Sequence, residues 1–278
     1  MALPARATAG EKVAYYALRV FVGAVLLFLI APILAIMPLS FNSETFFSYP
    51  MPGFSLKWYL GEDGFLTNAR WQSALRYSII IALATTFLAT ILGTLAALGL
   101  SRANIPGRAT IMAVLISPMI VPVIISALGM FFFYAKIGLT GTLMGLILAH
   151  TALATPFVVI TVTATLQSFD RSLIRAGASL GARPDTVFFK VMLPLIMPGM
   201  ISGALFAFVT SFDEVIVILF IGGPEQRTLP RQMFSGIREL ISPTITAAAS
   251  VLIVFSTALL LTVEYLRRRS EKLRGIKS

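Results

Sequence analysis

The sequence contains no cysteine, and this absence excludes disulfide bonds, cysteine-ligated zinc and iron–sulfur clusters. It contains a single histidine, His150, whereas a membrane haem subunit commonly needs several histidines as axial ligands. A redox subunit is therefore not favoured. The sequence also lacks the phosphate loop G-x-x-x-x-G-K-[ST], so the chain does not hydrolyse ATP through the fold that carries that motif.

Charged residues are scarce as well. They make up 12% of the 278 residues, whereas soluble domains carry about 25%, and hydrophobic types make up 57%. With a mean hydropathy of +0.89, this composition excludes an ordinary soluble domain and also a disordered chain, which would be rich in charge. The charge that is present is mostly positive, with a net value of +10. In a soluble protein such an excess indicates nucleic-acid binding, so the positions of the bases along the chain have to be considered.

Six stretches are long and apolar enough to cross a membrane, which takes about 20 residues of helix. We predict an all-α polytopic membrane protein whose six transmembrane helices occupy roughly residues 18–38, 76–100, 109–134, 142–166, 196–221 and 244–266. The first stretch has a basic start but no small-residue cleavage site close behind it, so we interpret it as a retained helix. His150 falls in the fourth stretch, where a packed or hydrogen-bonded side chain is the favoured interpretation.

Lysine and arginine mark one side of the predicted bundle. Of the 22 such residues, 15 fall near the N-terminus, in the loops after the second and fourth spans, and in the tail at 267–278. By the positive-inside rule both termini are cytoplasmic, residues 1–17 are a cytoplasmic segment, and 39–69 form an outer, periplasmic loop. The positive excess then faces the anionic inner leaflet, which makes membrane lipid a partner and leaves no reason to invoke nucleic acid.

The loop between the fourth and fifth spans carries the most specific signal in the chain. Ser168 or Asp170 can cap the start of a short amphipathic helix at about 170–181, and Gly181 with Pro184 beyond it marks the end. Small and apolar residues recur at helical spacing on one face, at Leu173, Ala176, Gly177 and Leu180. So short a helix is not stable alone in water, so it must dock on its own bundle, on the membrane surface or on another protein.

A known family has this pattern. The stretch Arg175-Ala176-Gly177-x-x-x-Gly181-Ala182, followed by Leu193-Pro194 and Pro198, resembles the EAA motif of type I ABC importer permeases. The stretches SFDEVIVILFIGG at 211–223 and TLPRQMFSGIRELISPT at 228–244 are similar to the spermidine/putrescine-type branch, and the likeness covers roughly 70–265. Two positions depart from the family pattern, because Arg175 replaces its acidic residue and Gly177 its second alanine.

The resemblance implies a bacterial inner-membrane permease subunit with the type I ABC importer transmembrane fold at 70–265. It assigns the helix at 170–181 as a coupling helix that docks on a separate ATPase, through Leu173, Arg175, Ala176, Gly177, Leu180, Gly181 and Ala182. ATP and Mg would be bound by that ATPase, in two copies, and this chain would hold no cofactor. The other implied partners are a second, homologous permease subunit and a periplasmic solute-binding protein. Polyamine is the best single prediction for the cargo from this resemblance, while opines, amino-acid derivatives and other small organic solutes stay open.

Two acidic residues interrupt the apolar run of the fifth span. Asp213 and Glu214 lie within AFVTSFDEVIVILFI, where a charge costs about 2.5–3.5 kcal/mol on insertion scales. We expect them to face a cavity or a partner, and with Ser211 and Phe212 they are candidates for the solute path. Alternatively, the acids pair with a nearby base or end the span at the outer interface.

The segment at 224–243, between the fifth and sixth spans, lies on the predicted outer side and carries three arginines and an apolar side that includes Phe234. The resemblance places Arg227, Arg231 and Phe234 against the solute-binding protein, and a short helix lying on the bundle is compatible with this. The second hypothesis for the whole chain is a stand-alone secondary transporter or channel that couples ions through Asp213 or Glu214. The helix at 170–181 separates the two hypotheses, because a secondary transporter needs no cytoplasmic docking element.

Overall fold

The computed structural model describes residues 8–101, 105–167, 169–170, 172–239 and 242–273, and this part of the chain is helical, with only one isolated β-bridge between Asn42 and Phe54. The helices are α1 Ala9–Leu39, α2 Lys57–Leu60, α3 Ala69–Leu100, α4 Arg108–Ile120, α5 Val123–Ile137, α6 Leu143–Gln167, α7 Ser172–Ser179, α8 Pro184–Val187, a π-helical turn Phe188–Met192, α9 Leu193–Phe212, α10 Ile216–Ile221, α11 Leu229–Glu239 and α12 Pro243–Leu273. The predicted all-α class is confirmed.

Five helices are long and apolar enough to span a membrane, and a sixth span exists if one bent pair is counted. The five are α1, α3, α6, the continuous helix Pro184–Phe212 and the Pro243–Thr262 part of α12. The bent pair is α4 with α5, which meet at an angle of 104°. The six predicted stretches thus correspond to these elements, and the third, at 109–134, is the bent α4–α5 pair.

Proline explains the bend between α4 and α5. Val121 precedes Pro122, and a residue before proline is pushed out of the helical region, so Val121 is extended with φ −69° and ψ 133°. Pro122 itself has no N–H to donate to the preceding turn. The backbone therefore turns at Val121–Pro122, and α4 and α5 do not form one continuous helix.

The fifth span also differs from its predicted bounds of 196–221. The helix begins twelve residues earlier, at Pro184, whose fixed φ suits a first helical position, and it ends at Phe212. Residues 213–215 are not helical, and α10 is a separate element after them. The two acidic residues are therefore in a helix break rather than on two faces of one helix.

The chain divides into two compact units, of which the first comprises Met1–Asn68 and Glu239–Val254. Within it α1, which the structure describes throughout, has no buried side chain. The loop after α1 is held by its aromatic residues, because the Trp58 indole donates to the Asn42 carbonyl at 2.7 Å and the Tyr59 hydroxyl lies 2.7 Å from Ser40 Oγ. This loop therefore packs on itself in the part of the chain described.

The second unit, Ala69–Arg238 with Phe255–Ser278, contains the bundle around which the candidate sites lie. In it α3, α6 and α9 pack together through small residues. A Cβ placed on Gly93 would lie 2.6 Å from Val158 Cβ, and one placed on Gly203 would lie 2.8 Å from Val158 Cα. Small residues of this kind let helix backbones approach closely where lipid offers no hydrophobic driving force.

A second apolar cluster fixes the position of α10. Buried residues from α3, α5, α6 and α10 form it: Ile81, Ala127, Tyr134, Leu146, Ala149, Leu153, Val217, Ile218 and Ile221. The short helix after the acidic break is thus anchored in the core, although it has only six residues.

Candidate functional site

The coupling-helix candidate, α7, has defined ends. At its start the Asp170 carboxylate accepts hydrogen bonds from the Ser172 backbone N–H at 2.8 Å and from the Ser172 hydroxyl at 2.7 Å. At its end Gly181 adopts φ +77°, and the N–H groups of Gly181 and Ala182 donate to the carbonyls of Ala178 and Gly177 in a Schellman arrangement. The predicted cap at Asp170 and stop at Gly181 are confirmed, while Ser168 lies outside the described residues.

The side chains of α7 divide into an exposed face and a face turned to the bundle. Leu173 and Leu180 are 42% and 87% exposed, and Arg175 and Ala176 are exposed beside them. Gly177 is one turn after Leu173 on the same side of the helix, as the spacing predicted. It is half-buried, because Val187 lies against it, and an added Cβ would be 3.0 Å from Val187 Cγ2.

A half-open cleft of about 490 Å³ lies beside α7. Its walls are mostly apolar and include Leu98, Leu166, Ile174, Ala178, Ala182 and Met192. Ala182, predicted as part of the docking surface, lines this cleft and is half-buried. The coupling-helix candidate therefore packs closely on Val187 at Gly177, while a half-open cleft remains beside it.

The cap at Asp170 gives a testable consequence. Hydrogen bonds from Ser172, together with the charge of Arg175, hold the pKa of the Asp170 carboxyl below its usual value. Because the pKa is lowered in the folded state, the stabilisation is complete above the usual carboxyl pKa and is lost as the pH falls through the lowered value. We expect Asp170→Ala to speed hydrogen–deuterium exchange of the first α7 amides at neutral pH, and Asp170→Asn, which retains a capping oxygen, to change it little. Equal exchange in all three proteins would contradict this role.

The non-helical residues 213–215 between α9 and α10, here called the acidic break, contain Asp213 and Glu214, whose carboxylates have different roles. The Glu214 carboxylate accepts hydrogen bonds from the Ile216 and Val217 N–H groups at 2.7 and 3.0 Å, so it caps the start of α10. Asp213 ends α9, with its N–H donating to the Val209 carbonyl at 3.0 Å, and its side chain is exposed. Among the described residues neither acid forms an ion pair. Asp213 is therefore the acid that is available to a ligand.

Ser211 and Phe212, the other two residues predicted for the solute path, are buried in this conformation. Ser211 Oγ lies 2.9 Å from His150 Nδ1, which confirms the interpretation of His150 as a hydrogen-bonded buried residue. The Phe212 ring packs between Phe208 and Phe255, with ring centroids 5.4 and 5.6 Å away. Their assignment to the path remains a prediction.

The residues before and within α11 form a second surface. Of the two arginines predicted there, Arg231 is held by hydrogen bonds and Arg227 is exposed. Arg231 donates to the carbonyls of Gly223 and Gln226 at 2.8 and 3.1 Å, and burial together with the charge of Arg227 lowers the pKa of its guanidinium. Arg227 and Phe234 are exposed. Gln226, which the sequence analysis missed, joins this loop to the turn before α6 by donating to the Gly141 carbonyl at 2.7 Å. No sequence signal marks Gln226, because its partner lies 85 residues away.

These features define a class. The described residues form a helical bundle with several apolar spans and a bounded amphipathic helix on one loop, which is typical of membrane transport subunits. Residues 89–272 match the model of the binding-protein-dependent transport system inner membrane component family. The chain belongs to this family.

Relatives and structures agree with this assignment. The chain is 31% identical over 256 residues to the spermidine/putrescine transport system permease protein PotC of Haemophilus influenzae, covering 92% of this chain and 98% of the relative. It is 33% identical to the putrescine transport system permease protein PotI of Escherichia coli K12, covering 89% of each. A similar fold occurs in a bacterial alginate ABC transporter that was solved in complex with an alginate pentasaccharide-bound periplasmic protein. The TM-score is 0.69 and the sequence identity 17%, and the match covers 94% of this chain and 96% of that chain.

The chain is therefore a permease subunit of an ABC importer, located in the inner membrane, and the ATPase is a separate subunit. The hypothesis of a stand-alone secondary transporter or channel is not favoured by this membership. The loop at 168–199 indicated this family, and the family match confirms it. The match at residues 89–272 includes the loop and the helices before and after it.

Proposed function

We propose that this permease forms half of an import path for a polyamine-like organic cation, with Asp213 as the acid that meets the solute. The observation that carries the proposal is the exposed Asp213 side chain at the α9–α10 break, without an ion-pair partner in the described part of the chain. The PotC and PotI relatives are spermidine/putrescine and putrescine permeases, and this supports a polyamine-like cargo over opines and amino-acid derivatives.

Electrostatics explain why a carboxylate suits this cargo. A polyamine loses part of its hydration on entering a path through an apolar bundle, and an opposite charge offsets that loss. Two unit charges about 4 Å apart attract by about 4 kcal/mol at an effective dielectric constant of about 20. Glu214 is less suited to this role, because its carboxylate already accepts two backbone hydrogen bonds from α10.

The proposal includes the orientation and the partners. Both termini are cytoplasmic, and Leu173, Arg175, Ala176 and Leu180 of the exposed α7 face dock on one of two ATPase copies, which bind ATP and Mg. Gly177 lies beside Leu173 on that face, and Gly181 and Ala182 follow at its end. A second, homologous permease subunit completes the path. The solute-binding protein meets the opposite side, at Arg227, Arg231 and Phe234, and the alginate transporter solved with its periplasmic protein supports a partner of this kind.

Uptake by variants of the two acids tests the cargo site. In vesicles containing the assembled importer, we expect Asp213→Asn to raise the half-saturating spermidine concentration about tenfold or more, because that change corresponds to only about 1.4 kcal/mol of lost attraction. Glu214→Gln retains a capping oxygen and is expected to have a smaller effect. Co-purification of the ATPase with each variant controls for assembly. Wild-type uptake at subsaturating spermidine by Asp213→Asn would refute the proposed role.

A further inference from the structure

His150 is a buried polar residue that no part of the proposed mechanism uses. It lies in α6, is 1% exposed, and its Nδ1 atom is 2.9 Å from Ser211 Oγ in α9. Its Nε2 atom has no hydrogen-bond partner among the residues that the structure describes. A buried polar group that is only half satisfied destabilises a fold, and an apolar ring would fill this space without that cost. The Nδ1 bond, rather than packing, is thus the contribution of this imidazole.

That bond acts on the last turn before the acidic break. Ser211 is two residues before Asp213, and α9 ends immediately after it, with the Asp213 N–H bonded to the Val209 carbonyl at 3.0 Å. On the far side of the break α10 is fixed separately, by the Glu214 cap and by buried Val217 and Ile218. The segment that carries the Asp213 carboxylate therefore has anchors on both sides. On the α9 side Phe212 packs on Phe255, and His150 provides the hydrogen bond.

Other contacts between α6 and α9 lie further from the break. Gly203 packs closely on Thr161 and Val158, and the Phe206 ring stacks on Phe157. These contacts hold the two helices together, but Gly203 and Phe206 lie five or more residues before Ser211, which is more than one helical turn. A hydrogen bond between two side chains is directional and fixes the register at one level of the helices.

We propose that His150 is a positioning residue that fixes the end of α9 through Ser211 and thereby sets where the Asp213 carboxylate lies. His150 does not touch the solute. The inference rests on the proposed function of Asp213 and adds to it the residue on a second helix that keeps this acid in place.

The cysteine-free sequence provides a reporter that does not depend on the cargo. In the assembled importer Asp213→Cys would be the chain's single thiol, and its reaction rate with a cationic methanethiosulfonate reagent reports its position and exposure. We expect His150→Phe to change that rate about two- to tenfold, because it removes the net contribution of one hydrogen bond. Ser211→Ala, which removes only a hydroxyl, should give the same change, and the double variant should add nothing further. His150→Asn, whose amide can take the place of Nδ1, should restore the original rate.

A matched control separates positioning from general loosening. Gly129→Cys lies on α5, where an added Cβ would meet nothing within 4 Å, and its labelling rate should not respond to His150→Phe. A parallel change at both thiols would indicate that His150 only stabilises the bundle, and it would overturn the inference. An unchanged rate for Asp213→Cys in both the His150→Phe and Ser211→Ala backgrounds would overturn it too.

Spermidine uptake distinguishes this inference from the function on which it rests. We expect His150→Phe to raise KM with little change in kcat, and to have no further effect in an Asp213→Asn background. If labelling shifts as expected while Asp213→Asn transports normally, His150 still positions this segment and the cargo role of Asp213 fails. If Asp213→Asn impairs uptake while His150→Phe alters neither labelling nor KM, the cargo role holds and the positioning role fails.

Discussion

Replacing Leu180 with aspartate is expected to separate this permease from its ATPase while the permease itself stays folded. Leu180 is 87% exposed and lies immediately beyond α7, so the change removes no packing within its own chain. Surface substitutions of this kind usually alter the free energy of unfolding by no more than about 0.5 kcal/mol. At an interface, by contrast, loss of a central apolar contact costs about 2 kcal/mol or more, and a buried carboxylate without a partner adds to that loss.

The expected result is at least about a 30-fold loss of affinity for the ATPase subunit, which follows from 2 kcal/mol. It is measured by co-purification and by solute-stimulated ATP hydrolysis in the reconstituted importer. Leu180→Met, which keeps the apolar volume, should retain both. Leu60→Asp places the same charge on another exposed leucine, 59% exposed and far along the chain in α2, and should also retain both. Normal ATPase recovery with Leu180→Asp would exclude this residue from the docking face.

Substituting Gly203 with alanine is expected to destabilise the packing of α6 on α9. The new Cβ would lie 2.5 Å from Thr161 Oγ1 and 2.8 Å from Val158 Cα, and the second of these neighbours is backbone that cannot turn aside. Overpacking of this kind costs about 1–3 kcal/mol, whereas the gain in helix propensity from glycine to alanine returns only about 1 kcal/mol. The net effect is a lower Tm for the purified importer and less assembled protein in the membrane.

Glycines with free space around them are the matched comparison. Gly99 in α3 and Gly129 in α5 have no atom within 4 Å of an added Cβ, so alanine at either position gains helix propensity without a clash. We expect the Tm of the importer with Gly99→Ala or Gly129→Ala to equal or exceed that of the wild type in the same detergent. A Tm for Gly203→Ala as high as that of Gly129→Ala would show that α6 and α9 can separate at no cost, which contradicts the close packing.

Hydropathy predicted the number of apolar spans but not their shape. A long apolar run predicts a crossing, yet proline is tolerated in membrane helices, so Pro122 alone does not distinguish a small kink from the observed 104° turn. The fifth span shows the same limit, because Asp213 and Glu214 read as charges inside a helix. Only the hydrogen bonds from Ile216 and Val217 to Glu214 show that a new helix begins there.

The coupling-helix candidate was more predictable than the solute site because its signals are local. A capping aspartate, a glycine stop and a following proline specify the ends of α7 within one short stretch. The partial cover of Gly177 comes from Val187, which follows the helix in a different element, and this could not be inferred from spacing. The links from His150 to Ser211 and from Gln226 to Gly141 join residues 61 and 85 positions apart, so no local pattern announces them.

The broken α4–α5 pair has a consequence for biogenesis. With 13 and 15 residues, rising about 1.5 Å each, neither helix covers the roughly 30 Å of a bilayer core, so a translocon cannot release either one as a finished span. The buried side of α5, at Ala127 and Tyr134, packs against Val217 and Ile218 of α10, which the ribosome makes much later. The middle of this permease is therefore expected to mature only after the acidic break has been synthesised, and a nascent chain that stops before Ile216 would expose α5 to quality-control proteases.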